Sequence, residues 1–498
     1  MHYTGRMRKT LQTLFLSSII LTLLIAHILI VIATPLRNVL GHAVASQKKT
    51  LSLVLKKEKT AGDIIYIQKS LAIAQRQSSL LAIFMKKLSR TVPLESYVEA
   101  TNSMAAAFSQ LPLLLGSRQE SHYVLLFLNN YELRPGGGFI GSLGFITFKN
   151  YTLTRFETQD VYEIDGQLTT HHEPHYAVRK YLNQPNEYLR DSNFSPDFSL
   201  NTKKAFGYLS YVPSYSKQYN GAIGITTSAF EDLLRLTGPI ELSDFQTTIT
   251  SSNFFSTTQR KIENNFFPGS KQKRSILQAL GNAVMQRLED LPPSSLLHFL
   301  YNSVKTKGLV FYASNKQLQT FLRIMDATGE QSSSNKNWVM PIDANVGVNK
   351  LDALVHKTME LQLVQTSTSA IQTFKSIYTN SITSDASRKE TYKNYFQLYV
   401  PNGAILRKAI VNNHDVTNEI RVSHEDNRKI FGIYLETPPA SSTAIAITYE
   451  LPLTLAIKQL EFKKQIGSKT APVTIIYSGK KIEIIRKQLE SDEVFIFR

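Results

Sequence analysis

Residues 123–167 run YVLLFLNNYELRPGGGFIGSLGFITFKNYTLTRFETQDVYEIDGQ. An apolar run, a loop with Arg134 and three consecutive glycines, a second apolar run and an acidic turn follow one another. Short runs rich in aromatic and branched residues, bounded by turn residues, predict strands at 123–129 and 139–148. Charged and conformationally permissive residues set between two such strands point to an anion-handling loop on an α/β sheet. A second polar cluster, LRDSNFSPDF, occupies 189–198.

The pattern on either side supports a layered α/β domain. Residues 201–212 have helical character, 222–226 read as a strand, and 228–236 as a helix stopped by Thr237, Gly238 and Pro239. A basic helical segment at 260–291 carries apolar positions at Ile276, Leu280, Ala283, Val284 and Leu288; a strand at 309–313 and a helix at 316–327 follow. Such alternation predicts sheet and helix layers. Past residue 357 the periodicity changes to short strands, among them 361–364, 369–378, 395–401, 405–411, 430–435, 444–449 and 473–477, separated by turns. This spacing predicts an immunoglobulin-like β-sandwich, an adhesive or spacer module.

Upstream, Leu71, Ala74, Ser78, Leu81, Met85 and Leu88 recur at steps of three or four, one apolar helical stripe. Pro93 breaks it, and 94–111 reads as another helix. Residues 14–33 (LFLSSIILTLLIAHILIVIA) are uncharged, and at about 1.5 Å per residue they are long enough to cross a hydrocarbon core of roughly 30 Å. Ala43, Val44 and Ala45 would serve as a small-residue cleavage site, but the apolar run exceeds a signal peptide's, and an uncleaved signal anchor is expected. The expected fold class is therefore an α/β central domain with an N-terminal transmembrane helix, a helical stalk and a C-terminal β-sandwich. The boundaries are 1–45 for the arm and anchor, 46–118 for the stalk, 119–356 for the α/β domain and 357–498 for the sandwich. The expected location is the cell membrane, single-pass, with the large C-terminal part extracytoplasmic.

Composition narrows the chemistry. At 498 residues the chain exceeds one compact core. It has no cysteine, which excludes disulfides, thiolate metal sites and a thiol nucleophile. A net charge of +17 favours anionic partners such as lipid head groups or phosphorylated glycopolymers. The basic residues are dispersed and no nucleic-acid signature accompanies them, so no nucleic acid is expected.

Pyrophosphate recognition needs fixed cations and backbone donors. Arg134 and Arg190 supply planar forks, and Gly136, Gly137 and Gly138 would expose successive N–H groups; the alternative is a tight strand connection with an arginine on its rim. Asp160, Glu163 and Asp165 would hold a divalent cation or act as a base, or form a solvated turn. Arg190, Asp191 and Asp197 would equally form an internal salt bridge, with Asp197 capping the helix that follows. Pro174 denies His171, His172 and His175 helical zinc-ligand spacing, so a loop is expected there. Lys350 and Asp352 either line the same cleft or pair with each other.

Several of these segments resemble the bacterial domain-of-unknown-function family 4012: FLNNYELRPGGGFIGSLGFITF (127–148), DVYEIDGQL (160–168), LRDSNFSPDF (189–198), NGAIGITTSAFEDLLRLTGPIEL (220–242), DANVGVNKLDALV (343–355) and YKNYFQLYVPNG (392–403). That resemblance implies a single-pass membrane protein without an established activity. Residues 220–242 and the order of elements from 123 to 165 are more distantly similar to the LytR-CpsA-Psr family. This likeness implies an extracytoplasmic enzyme that moves glycopolymers from polyprenyl pyrophosphate carriers to the cell-wall polymer, with arginines on the pyrophosphate and aspartates on Mg2+. Carried over, Arg134 and Arg190 would bind substrate, Asp160 and Asp191 would be catalytic, and Asp160 would hold the metal; the residue reading above adds Gly136, Gly137 and Gly138 to the substrate site and Asp165 to the metal site. The chain departs from that family at Asn129 and Asn130, where its pattern is Gly-x-Asp, and after Arg134, where no carboxylate follows.

Overall fold

The computed structural model describes residues 49–497 apart from 51, 55, 57–58, 90–94, 258–270, 332–335, 366–368, 383–389, 453–455 and 480. Strands β1 (Ser121–Asn129), β2 (Phe139–Lys149), β3 (Thr152–Asp160), β4 (Gly221–Thr226) and β7 (Leu309–Ala313) form a sheet in the order β3-β2-β1-β4-β7. Only β1 and β4 run parallel; the other pairs are antiparallel. A two-stranded ribbon, β5 (Ile240–Leu242) with β6 (Thr247–Ile249), lies beside it.

Successive residues of a strand face opposite sides, and both sides of this sheet are apolar. Val124, Leu126, Leu128 and Ala222 pack under helix Phe198–Ser210, while Ile223, Ile225 and Leu309 pack under helices Thr227–Thr237, Lys271–Asp290 and Pro293–Lys305. Helices on both faces make the expected α/β layering.

The two N-terminal helices, Ala61–Leu88 and Glu95–Leu114, pair with each other. The first opens on a capping box: Thr60 Oγ1 accepts from Asp63 N, and Asp63 Oδ2 accepts from Thr60 N. They lie against the α/β domain, with Ile67 and Leu71 on Tyr151 and with Leu114 O accepting from Tyr123 Oη at 2.6 Å. Both helices of the expected stalk are thus docked on the α/β domain.

The C-terminal part comprises β8 (Lys336–Ile342), β9 (Val355–Gln365), β10 (Ser369–Asn380), β11 (Tyr392–Pro401), β12 (Ile405–Val411), β13 (His414–Asp415), β14 (Arg421–Glu425), β15 (Arg428–Thr437), β16 (Ser441–Pro452), β17 (Ala456–Phe462), β18 (Ala471–Ser478), β19 (Ile482–Leu489) and β20 (Glu493–Ile496). They form a seven-stranded sheet, β13-β12-β16-β10-β9-β18-β19, and a six-stranded sheet, β14-β15-β11-β8-β17-β20. Inward alternation, as in Ile445, Ile447, Tyr449 and Leu451 of β16, fills the space between them around Phe374 and Phe396.

The fold class expected from the sequence needs correction. Among the described residues no helix is long and apolar enough to cross a membrane; residues 14–33, read as the transmembrane helix, lie outside the described residues. The sandwich departs from an immunoglobulin pattern: it is larger, and β8 with β17 and β9 with β18 are parallel pairs. It also begins earlier than residue 357, because β8 pairs with β11 and β17.

A leash joins the two parts. After β17 the chain passes back into the α/β domain, where Lys464, Gln465 and Ile466 are buried, Ile466 within the core beneath helix Phe198–Ser210. Lys464 Nζ donates to Thr306 O and Ser468 O, Lys307 Nζ donates to Lys464 O and pairs with Asp492, and Gly467 N donates to Lys307 O.

Candidate functional site

The loop between β1 and β2 sits where the leash, the turn at 189–193 and the sandwich meet. Its backbone donors point inward: Glu132 N to Asn129 O, Gly136 N to Asn193 O, Gly137 N to Arg134 O, Phe139 N to Glu132 O, and Leu133 N to Asp352 Oδ2 at 3.0 Å. Amides spent this way do not form an anion-binding nest. The glycines answer instead to crowding. A Cβ on Gly136 would lie 2.2 Å from Asn201 Nδ2, and one on Gly138 (φ +145°) 2.4 Å from the Asn129 carbonyl carbon, while Gly137 (φ +115°) lies against Ile466.

Arg134 is 3% exposed. Its Nη2 donates to Glu132 Oε1 at 2.9 Å, and its guanidinium lies 5.8 Å from the ring centroids of Phe139 and Phe194. Nε and Nη1 are buried without a hydrogen-bond partner, as is Asp191 Oδ2. Arg190 is held by Asp165 Oδ2 (2.8 Å) and Gln184 Oε1, stacks 4.1 Å over Tyr188, and reaches Asp191 Oδ2 at 3.9 Å. Asp165 Oδ1 accepts from Leu189 N at 2.8 Å, so this carboxylate ties helix Val161–Asp165 to the turn Leu189–Asp191. Asp160 ends β3, and its Oδ1 accepts from Tyr162 N to cap the same helix. Asp197 caps helix Phe198–Ser210 through Leu200 N and holds Gln331 N.

The structure therefore brings Arg134, Arg190, Asp165 and Asp191 together, with Asp160 at the edge of the group. Four carboxylates (Glu132, Asp160, Asp165 and Asp191) stand against two guanidinium groups. Burial pushes Asp165 up to about 6 despite Arg190 beside it, and raises Asp191 against both arginines. Raised carboxyl groups mark an environment that resists added negative charge. The donors do not fit a magnesium ion either: Asp160 caps a helix, Asp165 is taken by Arg190 and a backbone amide, and no group of three or more His, Asp or Glu able to hold a metal occurs among the described residues. His175 instead caps helix Tyr176–Tyr181 and stacks on Phe194, and burial holds it down at about 4.

Sequence reading missed what the far end of the chain contributes. Gln465 Nε2 donates to Arg134 O and Asp343 O, and its Oε1 accepts from Asp343 N; Asn130 Nδ2 reaches Gly467 O and Ser228 Oγ. Beside them lies a cavity of about 280 Å³ lined by Asn130, Leu133, Asp343, Asp352, Lys357 and Lys469. Asp352 accepts from Leu133 N, Asn345 Nδ2 and Tyr392 Oη, and burial still pushes it up to about 6. Asp343 is saturated by Tyr378, Asn394 and Lys357. Lys350 is elsewhere, 5.8 Å over Phe255. A second cavity, about 370 Å³, opens where Tyr176, Tyr181 and Tyr434 meet; two tyrosines five residues apart beside a lysine were too weak a signal to find it.

Among solved structures the chain is similar to one from Legionella pneumophila described as nutrient binding (10% identity, 32% of this chain and 70% of that one, TM-score 0.20). It is also similar to an M1 zinc metallopeptidase from Deinococcus radiodurans (6% identity, 27% of this chain and 38% of that one, TM-score 0.17). Both likenesses are too low to carry an argument. No curated protein matches the sequence. A family profile described as "Protein of unknown function (DUF4012)" matches residues 118–262, the stretch that holds the crowded loop, Asp160 and Arg190, but stops short of the segments at 343–355 and 392–403. It supports the first of the two resemblances and not the more distant one to the LytR-CpsA-Psr family. Over residues 118–262, less than a third of its length, the chain matches the DUF4012 family.

Proposed function

We propose that this protein is a non-catalytic binding or scaffold module of the cell envelope, with its α/β domain and β-sandwich locked together to present a ligand site at their junction. The fate of Arg134 carries this reading. An arginine that grips a pyrophosphate must reach solvent or an open cleft, and this one is buried against Glu132, with its own carbonyl held by Gln465 from the end of the chain. Arg190 is also engaged within the fold, by Asp165 Oδ2 and against the Tyr188 ring. The glycopolymer-transfer reading would need both cations free and an acidic residue open to a metal or a sugar hydroxyl. An anionic envelope polymer remains the partner class that a net charge of +17 favours.

The test is phosphate release from geranyl pyrophosphate with magnesium. No release above buffer is expected, and Asp160→Asn and Asp191→Asn should match wild type. Release that either variant abolishes would overturn the proposal in favour of the transferase.

A further inference from the structure

The 370 Å³ cavity lies between helix Tyr176–Tyr181 of the α/β domain and strands β14 and β15 of the sandwich. Its walls are aromatic. Tyr181 stacks on Tyr434 (centroids 4.6 Å apart, planes 13°), Tyr176 meets Tyr181 edge-on, and Tyr395 backs both at 6.1 and 5.7 Å. The seat of Tyr395 depends on Gly432, where a Cβ would lie 2.2 Å from the tyrosine hydroxyl. Two cations are laid over these rings. The Arg421 guanidinium lies 4.1 Å from the Tyr176 centroid, and Lys180 Nζ lies 5.4 and 5.3 Å from those of Tyr176 and Tyr181 and donates to Tyr176 Oη. Glu419 stands on the rim. Among the described residues the Arg421 and Glu419 side chains make no hydrogen bond or ion pair, and both are exposed.

We infer that this cavity binds an anionic saccharide, its pyranose face on the tyrosine rings and its carboxylate or phosphate on Arg421 and Lys180. Flat, rigid rings offer dispersion contact to the C–H face of a sugar at little entropic cost. A guanidinium pre-oriented by stacking can take an oxyanion with two parallel hydrogen bonds, a geometry a solvated lysine does not fix. Glu419 accepts from hydroxyl groups. A neutral apolar ligand would use the rings and leave two cations against one carboxylate without a counter-charge. The volume falls at the small end of pockets that hold ligands, about 300–1,000 Å³, which suits one or two sugar units. This inference rests on the reading of the protein as a binding module and names the ligand class.

Isothermal titration of the full chain with hexameric galacturonate, glucose 6-phosphate and neutral maltohexaose tests it. At least one anionic probe should bind, and which one does separates carboxylated from phosphorylated sources. Maltohexaose should bind at least about tenfold more weakly. Arg421→Gln and Lys180→Gln, both surface changes whose folding thermal unfolding verifies, should each weaken binding by about tenfold, the loss of one charge-assisted contact. Arg407→Gln, which removes an exposed guanidinium paired with Glu450, should leave it unchanged. The inference is overturned if neither anionic probe binds, if maltohexaose binds equally well, or if both cavity variants keep wild-type affinity. Those failures leave the non-catalytic reading standing, whereas phosphate release from geranyl pyrophosphate that Asp160→Asn or Asp191→Asn abolishes would sink that reading and leave the cavity untouched.

Discussion

Arg134 and Lys464 show how the same residue type changes meaning with its surroundings. On a rim, each would be a handle for anions; here each is a buried cation that the fold must satisfy. Lys464 is held between Thr306 O and Ser468 O, and burial, with Lys307 close by, pushes its ammonium down to about 7. The unfolded chain holds that proton up to about 10.5, so between these values the unfolded state binds more protons than the folded one, and stability rises with pH. Lys464→Met removes this dependence. Melting curves from pH 7 to 10 should show wild type gaining on the variant as pH rises; a constant offset would place the ammonium in a wetter site than the one described. Asp352 works in the opposite sense. Its folded value of about 6 lies above the ordinary 3.8, so the stability it confers when protonated is lost as pH rises through 6. Asp352→Leu should therefore flatten the fall in stability between pH 4 and 7 that the wild-type residue contributes, measured as the variant's melting temperature relative to wild type across that range.

At the level of elements, periodicity made the strands legible. Those at 309–313 and 405–411 appear with the expected bounds, and helix Thr227–Thr237 ends at the Gly238 signal. Composition hid others. β3 (TLTRFETQD) is mostly polar and carries no apolar run to mark it as a strand, so in the sequence Asp160 looks like part of an acidic loop rather than a helix cap at a strand's end. β8 (KNWVMPI) carries Pro341 and was not placed in the sandwich. The candidate site was half legible: Arg134, Arg190, Asp165 and Asp191 do converge, but the partners that close it, Glu132 apart, come from distant places such as Gln465 and Asn193. Glycines suited to a nest and glycines forced by crowding look alike until the neighbours are known. The leash was invisible because Lys463, Lys464 and Gln465 are residue types ordinarily exposed. Its importance can be measured. Ile466→Ala should cost about 2–5 kcal/mol, the range for truncating a buried aliphatic side chain, and Gln465→Ala should cost about 1–3 kcal/mol for each backbone group left unpaired. Denaturant unfolding that shows neither variant weaker than wild type would mean that the leash is not an anchor.

At the scale of the whole molecule, two parts, each with its own core, are tied together by polar side chains and by the leash that crosses between them. Domains joined only by a linker unfold separately; parts sharing Ile466, Gln465 and the Leu133–Asp352 contact should unfold together. The buried Arg134–Glu132 pair lies at the centre of that junction, and removing one member of such a pair costs about 3–5 kcal/mol, while replacing both by apolar residues recovers most of it. Differential scanning calorimetry of wild type, Arg134→Met and the double variant Glu132→Leu/Arg134→Met tests the claim most directly. One transition is expected in wild type, moved down as a whole by the single change and largely restored by the double. Two separate wild-type transitions, or a single variant as stable as wild type or more so, would contradict it and return Arg134 to the role of a cation held in reserve for a ligand.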